Sequence, residues 1–202
     1  MTSAEEILSF WFGTSVHDEQ AMGERARFWF RSDPDVDRDI RERFGAVLLQ
    51  ARNGELASWT ESPRDRLALI ILLDQFSRHI HRGTADAFAQ DAAAQKLASE
   101  GLDLGMDAKF GPFERMFFAI PLGHSEDLAH QDRAIQYCEA WTSLLPAFAK
   151  GFAEVALGQV RRHRDVIARF GRFPTRTDAL RRTSTPEEKA YLEQIKASGQ
   201  PI

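Results

Sequence analysis

The sequence is poor in the residues that build ready-made sites. It has a single cysteine, Cys138, which excludes an internal disulfide framework and any multi-cysteine zinc or iron–sulfur centre. Its longest apolar run, Leu67 to Leu73, is seven residues. A membrane-spanning helix needs about 20, so no span is expected. Lysine is scarce, with 5 residues against 21 arginines, a ratio that a GC-rich genome explains without invoking function. No G-x-S-x-G, Walker loop, Rossmann fingerprint or H-E-x-x-H occurs, so the best-known nucleotide, hydrolase and zinc motifs are missing. The first residues, MTSAEEILSF, lack the basic and apolar regions of a secretory signal, and the final GQPI carries no lipidation box. The expectation is a cytoplasmic protein without membrane attachment.

What is present is an ordinary globular composition, 43% hydrophobic and 28% charged over 202 residues. A chain of this length can build one core without disulfides or metal. The punctuation is helical nearly throughout. Ser3 and Glu6 make a capping box before Ile7, Leu8 and Trp11, and Gly13 stops that helix. Residues 14–25 read as a loop, followed by the aromatic trio Phe28-Trp29-Phe30. Asp33-Pro34 and Ser62-Pro63 each read as an N-cap and first helical residue. The second of these opens onto LALIILL, apolar on every side, which predicts a central helix buried all round. Thr84 is expected to cap a helix ending at Gly101, and Pro112 to start one ending at Pro121. Ser125 is then the expected cap of the next helix. Pro146 begins the longest helix, which Gly171 stops. Gly151 and Gly158 inside it share a face, which predicts a closely approaching neighbour. Thr185, Pro186 and Glu188 cap a last helix. With no sustained alternation of period two, the fold class is all-α. Eight or nine helices are expected in one domain over 1–202, with 1–30 packing on the core and 175–202 capping its end.

The informative residues are polar groups on apolar faces. Asp74, Gln75 and Arg78 follow the apolar run on the same helix, with Asp74 and Arg78 one turn apart. A structural ion pair and a ligand-facing cluster both fit this spacing. In His124-Ser125-Glu126-Asp127, capping explains the serine and the acids, but not the histidine. Gln159 and His163 fall on the apolar stripe of the long helix, with Phe152, Val155, Ala156, Ile167 and Phe170. Residues 161–182 hold eight arginines and two acids, or +6, so the net charge of −4 leaves −10 for the remainder. Those arginines, Arg164, Arg169 and Arg172 among them, either pair with the protein's own acids or form an anion site.

Several segments together resemble the DUF924 family of bacterial proteins. They are LDQFSRHIHRG (73–83), ERMFFAIPLGHSEDL (114–128) and RHRDVIARFGRFP (162–174), with FWFG near the start and STPEE near the end. The resemblance spans nearly the whole chain and implies a TPR-like α–α superhelix. This chain departs from the family pattern at His79, where asparagine is usual. It also departs at Thr175 and Thr177, where histidine and asparagine are usual.

Two functions follow as expectations. The first is a module binding an anionic small molecule or acidic peptide, with Gln75, Arg78, Glu126, Asp127, Arg164, Arg169 and Arg172 as ligand contacts. The second is a hydrolase-type enzyme with His124 or His163 as general base, Glu126, Asp127 or Asp74 orienting it and Arg78 or Arg164 holding developing negative charge, with or without metal assistance. No particular cofactor is implied, no metal ligands are assigned, and no nucleic-acid partner is expected from a chain that is acidic overall. Cys138, on an apolar helical stripe, reads as a buried inert thiol.

Overall fold

Leu67 to Leu73 are all buried, and the rest of the molecule is arranged around them. A computed structural model describes residues 2–13 and 18–198. Nine α-helices are found among these residues, joined by short 3₁₀ turns. They are α1 (Ala4–Phe12), α2 (Glu19–Phe30), α3 (Pro34–Arg52), α4, α5 (Asp91–Asp103), α6 (Pro112–Gly123), α7 (Leu128–Thr142), α8 (Lys150–Phe170) and α9 (Pro186–Ser198). Helix α4 runs from Pro63–Ile70 through a π-helical segment, Ile71–Phe76, into Ser77–Ile80 without a break. The all-α expectation holds, and among the described residues there is no strand. No helix among them is long and apolar enough to cross a membrane.

Helices α5, α6, α7 and α8 pack each on the next, while α1 and α3 flank α4. The aromatic trios pin α1 and α2 onto the core. Phe117 of α6 is ringed by Trp11, Phe12, Trp29 and Phe30 at centroid distances of 5.4, 5.6, 4.8 and 6.1 Å. Such pairs add to simple area burial. The Trp29 indole also donates to the Trp11 carbonyl at 2.9 Å.

The predicted caps at Ser3, Asp33, Ser62 and Thr185 are all made. Other boundaries differ from the expectation. The predicted loop over 14–25 is helical from Glu19, because Asp18 caps it and Met22 and Trp29, two turns apart, bury one face. Residues 14–17 and the terminal GQ-PI segment lie outside the described residues. Thr84 heads only a 3₁₀ turn, its hydroxyl spent on the His81 carbonyl, and α5 begins at Asp91. Gly101 does not end α5; it is where the Phe118 ring comes so close that a Cβ would sit 2.6 Å from it. The stop is Gly105, in the left-handed conformation at φ 64°. Helix α6 continues past Pro121 to Gly123, since a proline this near the C-terminus interrupts little of what remains. Asp127, not Ser125, caps α7. Gly151 meets no neighbouring atom and Gly158 meets only Arg162, so the predicted close approach there is absent.

Candidate functional site

The π-helical segment adds a residue to one turn of α4 just where its sequence changes from apolar to polar. Such bulges recur at functional sites because they re-aim the side chains that follow. Here the segment carries Asp74, fully buried, and Gln75. Arg78 lies one turn on, and its guanidinium is 3.0 Å from Asp74 Oδ1 and 2.8 Å from the Asp74 carbonyl. Gln75 donates to Asp74 Oδ2 at 2.6 Å.

His124 ends α6 and points at the same carboxylate. Its Nδ1 is 2.9 Å from Asp74 Oδ1 and 3.0 Å from Oδ2. A carboxylate so placed accepts the Nδ1 proton, so that Nε2 is the acceptor when the ring is neutral. Nε2 has no partner among the described residues and is not among their sealed polar atoms. The side chain keeps 17% of its surface exposed. Burial would raise the Asp74 pKa, but Arg78, His124 and Gln75 outweigh it and hold the carboxyl below the usual range.

His163 of α8 stands beside His124, with ring centroids 6.4 Å apart. Its Nδ1 donates to the Gly123 carbonyl at 2.9 Å, and its Nε2 accepts from Gln159 at 2.8 Å. Only the neutral ring makes both at once, since Nε2 must lack its proton to accept. Burial first, and the neighbouring His124 second, push its pKa down to about 4. With both nitrogens occupied, His163 offers no open acceptor and serves as a wall of the site.

The segment after α8 closes over this cluster as a strap. Arg176 reaches Asp91 Oδ2 at 3.0 Å and the His124 carbonyl at 2.9 Å, between the rings of Phe88 and Phe173. Arg78 bridges Asp74 to Asp91 from the other side. Glu126 accepts from the Phe173 amide at 2.9 Å and from Arg182 at 2.8 Å, which hold its pKa low against the burial that would raise it. Asp74, Arg78, His124, His163 and Glu126 are thus brought into one connected network with Asp91, Arg176 and Arg182. Asp91 and Arg176 were not singled out by sequence reasoning. Nothing local marks Asp91, and Arg176 is one of eight arginines in the basic stretch.

Other expected ligand contacts sit elsewhere. Asp127 accepts from the Ala129 and His130 amides and is an N-cap. Arg164, Arg169 and Arg172 pair with Asp132, Glu187 and Glu188 at 2.9, 2.8 and 2.6 Å. Arg161 likewise pairs with Glu139. The basic stretch is therefore largely neutralised by the acids of the rest of the chain. Val155, placed on the inward stripe, is 68% exposed. His79 pairs with Asp37 at 2.7 Å, outside the network. Thr175 is exposed, while Thr177 is buried with its hydroxyl unpartnered. Cys138 is buried, and burial pushes its thiol up to about 11. Among the described residues no group of three or more His, Cys, Asp or Glu is set to hold a metal ion.

The family model described as "Bacterial protein of unknown function (DUF924)" matches residues 7–196. No curated protein matches the chain. A solved structure, that of a protein of unknown function from Agrobacterium tumefaciens, is similar with a TM-score of 0.77 and 36% identity. The similarity covers 95% of this chain and 97% of that one.

Proposed function

The chain belongs to the DUF924 family, and from its site geometry we propose that Asp74 and His124 form a general-base dyad in a hydrolase-type enzyme. The observation that carries this is the division of labour on one imidazole. Nδ1 is fixed by a buried carboxylate at 2.9 Å, while Nε2 is left without a protein partner. A base needs both a fixed tautomer and an open lone pair.

In the reaction, a water held at Nε2 attacks the carbonyl carbon of a bound ester or amide. Its oxygen forms the new C–O bond and one of its protons passes to Nε2. The bond to the leaving group then breaks, and the same proton goes to the departing oxygen or nitrogen. Asp74 stabilises the imidazolium formed between these steps and holds its ring in place. Arg176, bonded to the His124 carbonyl and to Asp91, is a positioning residue for the base.

The alternative, a module for anionic small molecules or acidic peptides, has less support. Asp74, Asp91 and Glu126 balance Arg78, Arg176 and Arg182, so the network's guanidinium groups leave no excess positive charge. The reading also includes a single domain over 1–202 in a TPR-like superhelical arrangement and a bacterial cytoplasmic setting. The family's description supports the bacterial setting, and the successive packing of α5 to α8 supports the superhelical arrangement.

Two measurements test the dyad. Nitrogen NMR should find His124 as the Nδ1–H tautomer; an Nε2–H tautomer overturns the reading. Turnover of nitrophenyl esters should fall about 100-fold in His124→Gln, the lower end of what general-base catalysis supplies. Turnover indifferent to His124→Gln sinks the proposal.

A further inference from the structure

Five residues close a ring that includes the proposed dyad. Asp74 is 3.0 Å from Arg78, and Arg78 reaches Asp91 Oδ2 at 3.1 Å. The same oxygen accepts from Arg176 at 3.0 Å. Arg176 donates to the His124 carbonyl at 2.9 Å, and His124 Nδ1 returns to Asp74 at 2.9 Å. His124 is therefore held twice, by its ring and by its backbone. It is the C-cap of α6, so its carbonyl finds no donor inside that helix, and Arg176 supplies one.

Asp91 is the joint of this ring. It opens α5, where an acid in the first turn ordinarily favours the helix dipole from the water side. Here the residue is buried, and the N-cap before it, Gln90, makes no side-chain capping bond. The Asp91 carboxylate instead faces two guanidinium groups that both lie over the Phe88 ring, at 5.7 and 4.7 Å. Two cations brought onto one oxygen repel each other, and the buried carboxylate between them offsets that cost. The two arginines do not depend on it equally. Arg78 has Asp74 as a second carboxylate, whereas Arg176 has no carboxylate but Asp91 within ion-pair distance among the described residues.

We propose that Asp91 is a positioning residue for the general base, fixing the His124 backbone through Arg176 and the Asp74 carboxylate through Arg78. This rests on the dyad for its catalytic meaning, though not for the placement of His124. Removing the Asp91 charge leaves Arg78 to Asp74 and releases Arg176, and the His124 carbonyl then loses its donor. An imidazole whose backbone is free to shift loses rate rather than substrate affinity.

The test compares Asp91→Asn with the wild type in the full chain. With nitrophenyl acetate, kcat should fall about 10-fold while KM stays within about twofold. Proton NMR should show the His124 Nδ1 proton as a downfield line in the wild type that broadens in Asp91→Asn. The His163 Nδ1 proton, held by the Gly123 carbonyl outside the ring, is the internal standard and should keep its line. Arg176→Ala should reproduce both effects, and the two substitutions together should cost no more than either alone, since they cut the same link. Should Asp91→Asn fail to fold, Arg176→Ala carries the test. Guanidinium ion at a non-denaturing concentration, taking the place between Phe88, Phe173 and Asp91, should then restore its turnover. Asp91→Asn with kcat and the His124 line unchanged overturns the positioning role, and a loss of turnover in His124→Gln then leaves the dyad standing. Broadening of the His163 line along with that of His124 marks a general loosening and overturns it too, as do losses that multiply in the double variant. Turnover indifferent to both Asp91→Asn and His124→Gln, with the His124 line still broadened by Asp91→Asn, removes the dyad and keeps the placement of His124 by Asp91.

Discussion

The two ends of α4 differ in kind, though one continuous helix carries both. From Leu67 to Leu73 its side chains meet aromatic and aliphatic neighbours and are buried on every side. Asp74, Gln75 and Arg78, beyond it, meet carboxylates, guanidinium groups and an imidazole through bonds of 2.6 to 3.0 Å. Burial at the first end is non-directional and tolerates change that keeps volume. At the second end each polar atom must find its partner, because an unpaired buried charge is costly. The first end supplies stability. The second uses part of that stability to hold an open nitrogen at the surface.

The largest effect should come from the apolar end. Phe117→Ala removes the ring on which Trp11, Phe12, Trp29 and Phe30 converge. We expect about 3–5 kcal/mol of lost stability in urea unfolding, with Phe117→Leu recovering most of it. A loss below about 1 kcal/mol would mean that the aromatic cluster does not hold α1 and α2 to the core.

How much of this was legible in the sequence follows from the range of each interaction. Caps are local, so Ser3 with Glu6 and Thr185 with Glu188 could be read directly. The Asp74–Arg78 pair is one turn apart and was equally visible. Gly101 misled because its reason lies in Phe118, on another helix. Pro121 misled because tertiary packing carries α6 past it, with Leu122 and Gly123 buried beyond. His124 was visible as a histidine that capping could not explain, and Asp74 as one of three acids able to orient it. The bridge from Arg176 to Asp91 was not visible, since it joins residues 85 apart in sequence. The π-helical segment has no sequence signature in a run of leucine and isoleucine.

The next effect probes the polar end through pH. The bond His163 accepts from Gln159 needs a neutral ring, and its folded pKa is pushed down to about 4. An unfolded histidine titrates near 6.5, so between these values the unfolded chain binds more protons and stability rises with pH. This contribution is complete above about pH 6.5 and is lost as pH falls toward 4, by at most about 3 kcal/mol. His79 and His81 are lowered by burial as well and act with the same sign. The lowered Asp74 acts mainly below about pH 4, by the same linkage. In His163→Gln the slope of stability against pH over 4 to 6.5 should therefore flatten without vanishing. A slope equal to the wild type's would mean that His163 is protonated in the native state.

The smallest effect belongs to the arginines that seemed most prominent in the sequence. Arg169 and Glu187 pair at 2.8 Å, but their side chains are 50% and 61% exposed. An ion pair this open to water gains little, because solvent screens the attraction and two long side chains lose freedom in making it. Arg169 also lies over the Phe170 ring at 4.7 Å, and that contact is exposed to the same competition from water. Arg169→Ala should therefore cost less than about 1 kcal/mol in urea unfolding, and 0.5 M salt should narrow the gap further. Ester turnover should be unchanged, since Arg169 touches neither Asp74 nor His124. A loss of turnover in Arg169→Ala with stability intact would move the active surface to the C-terminal stretch and break the contrast between the two ends of α4.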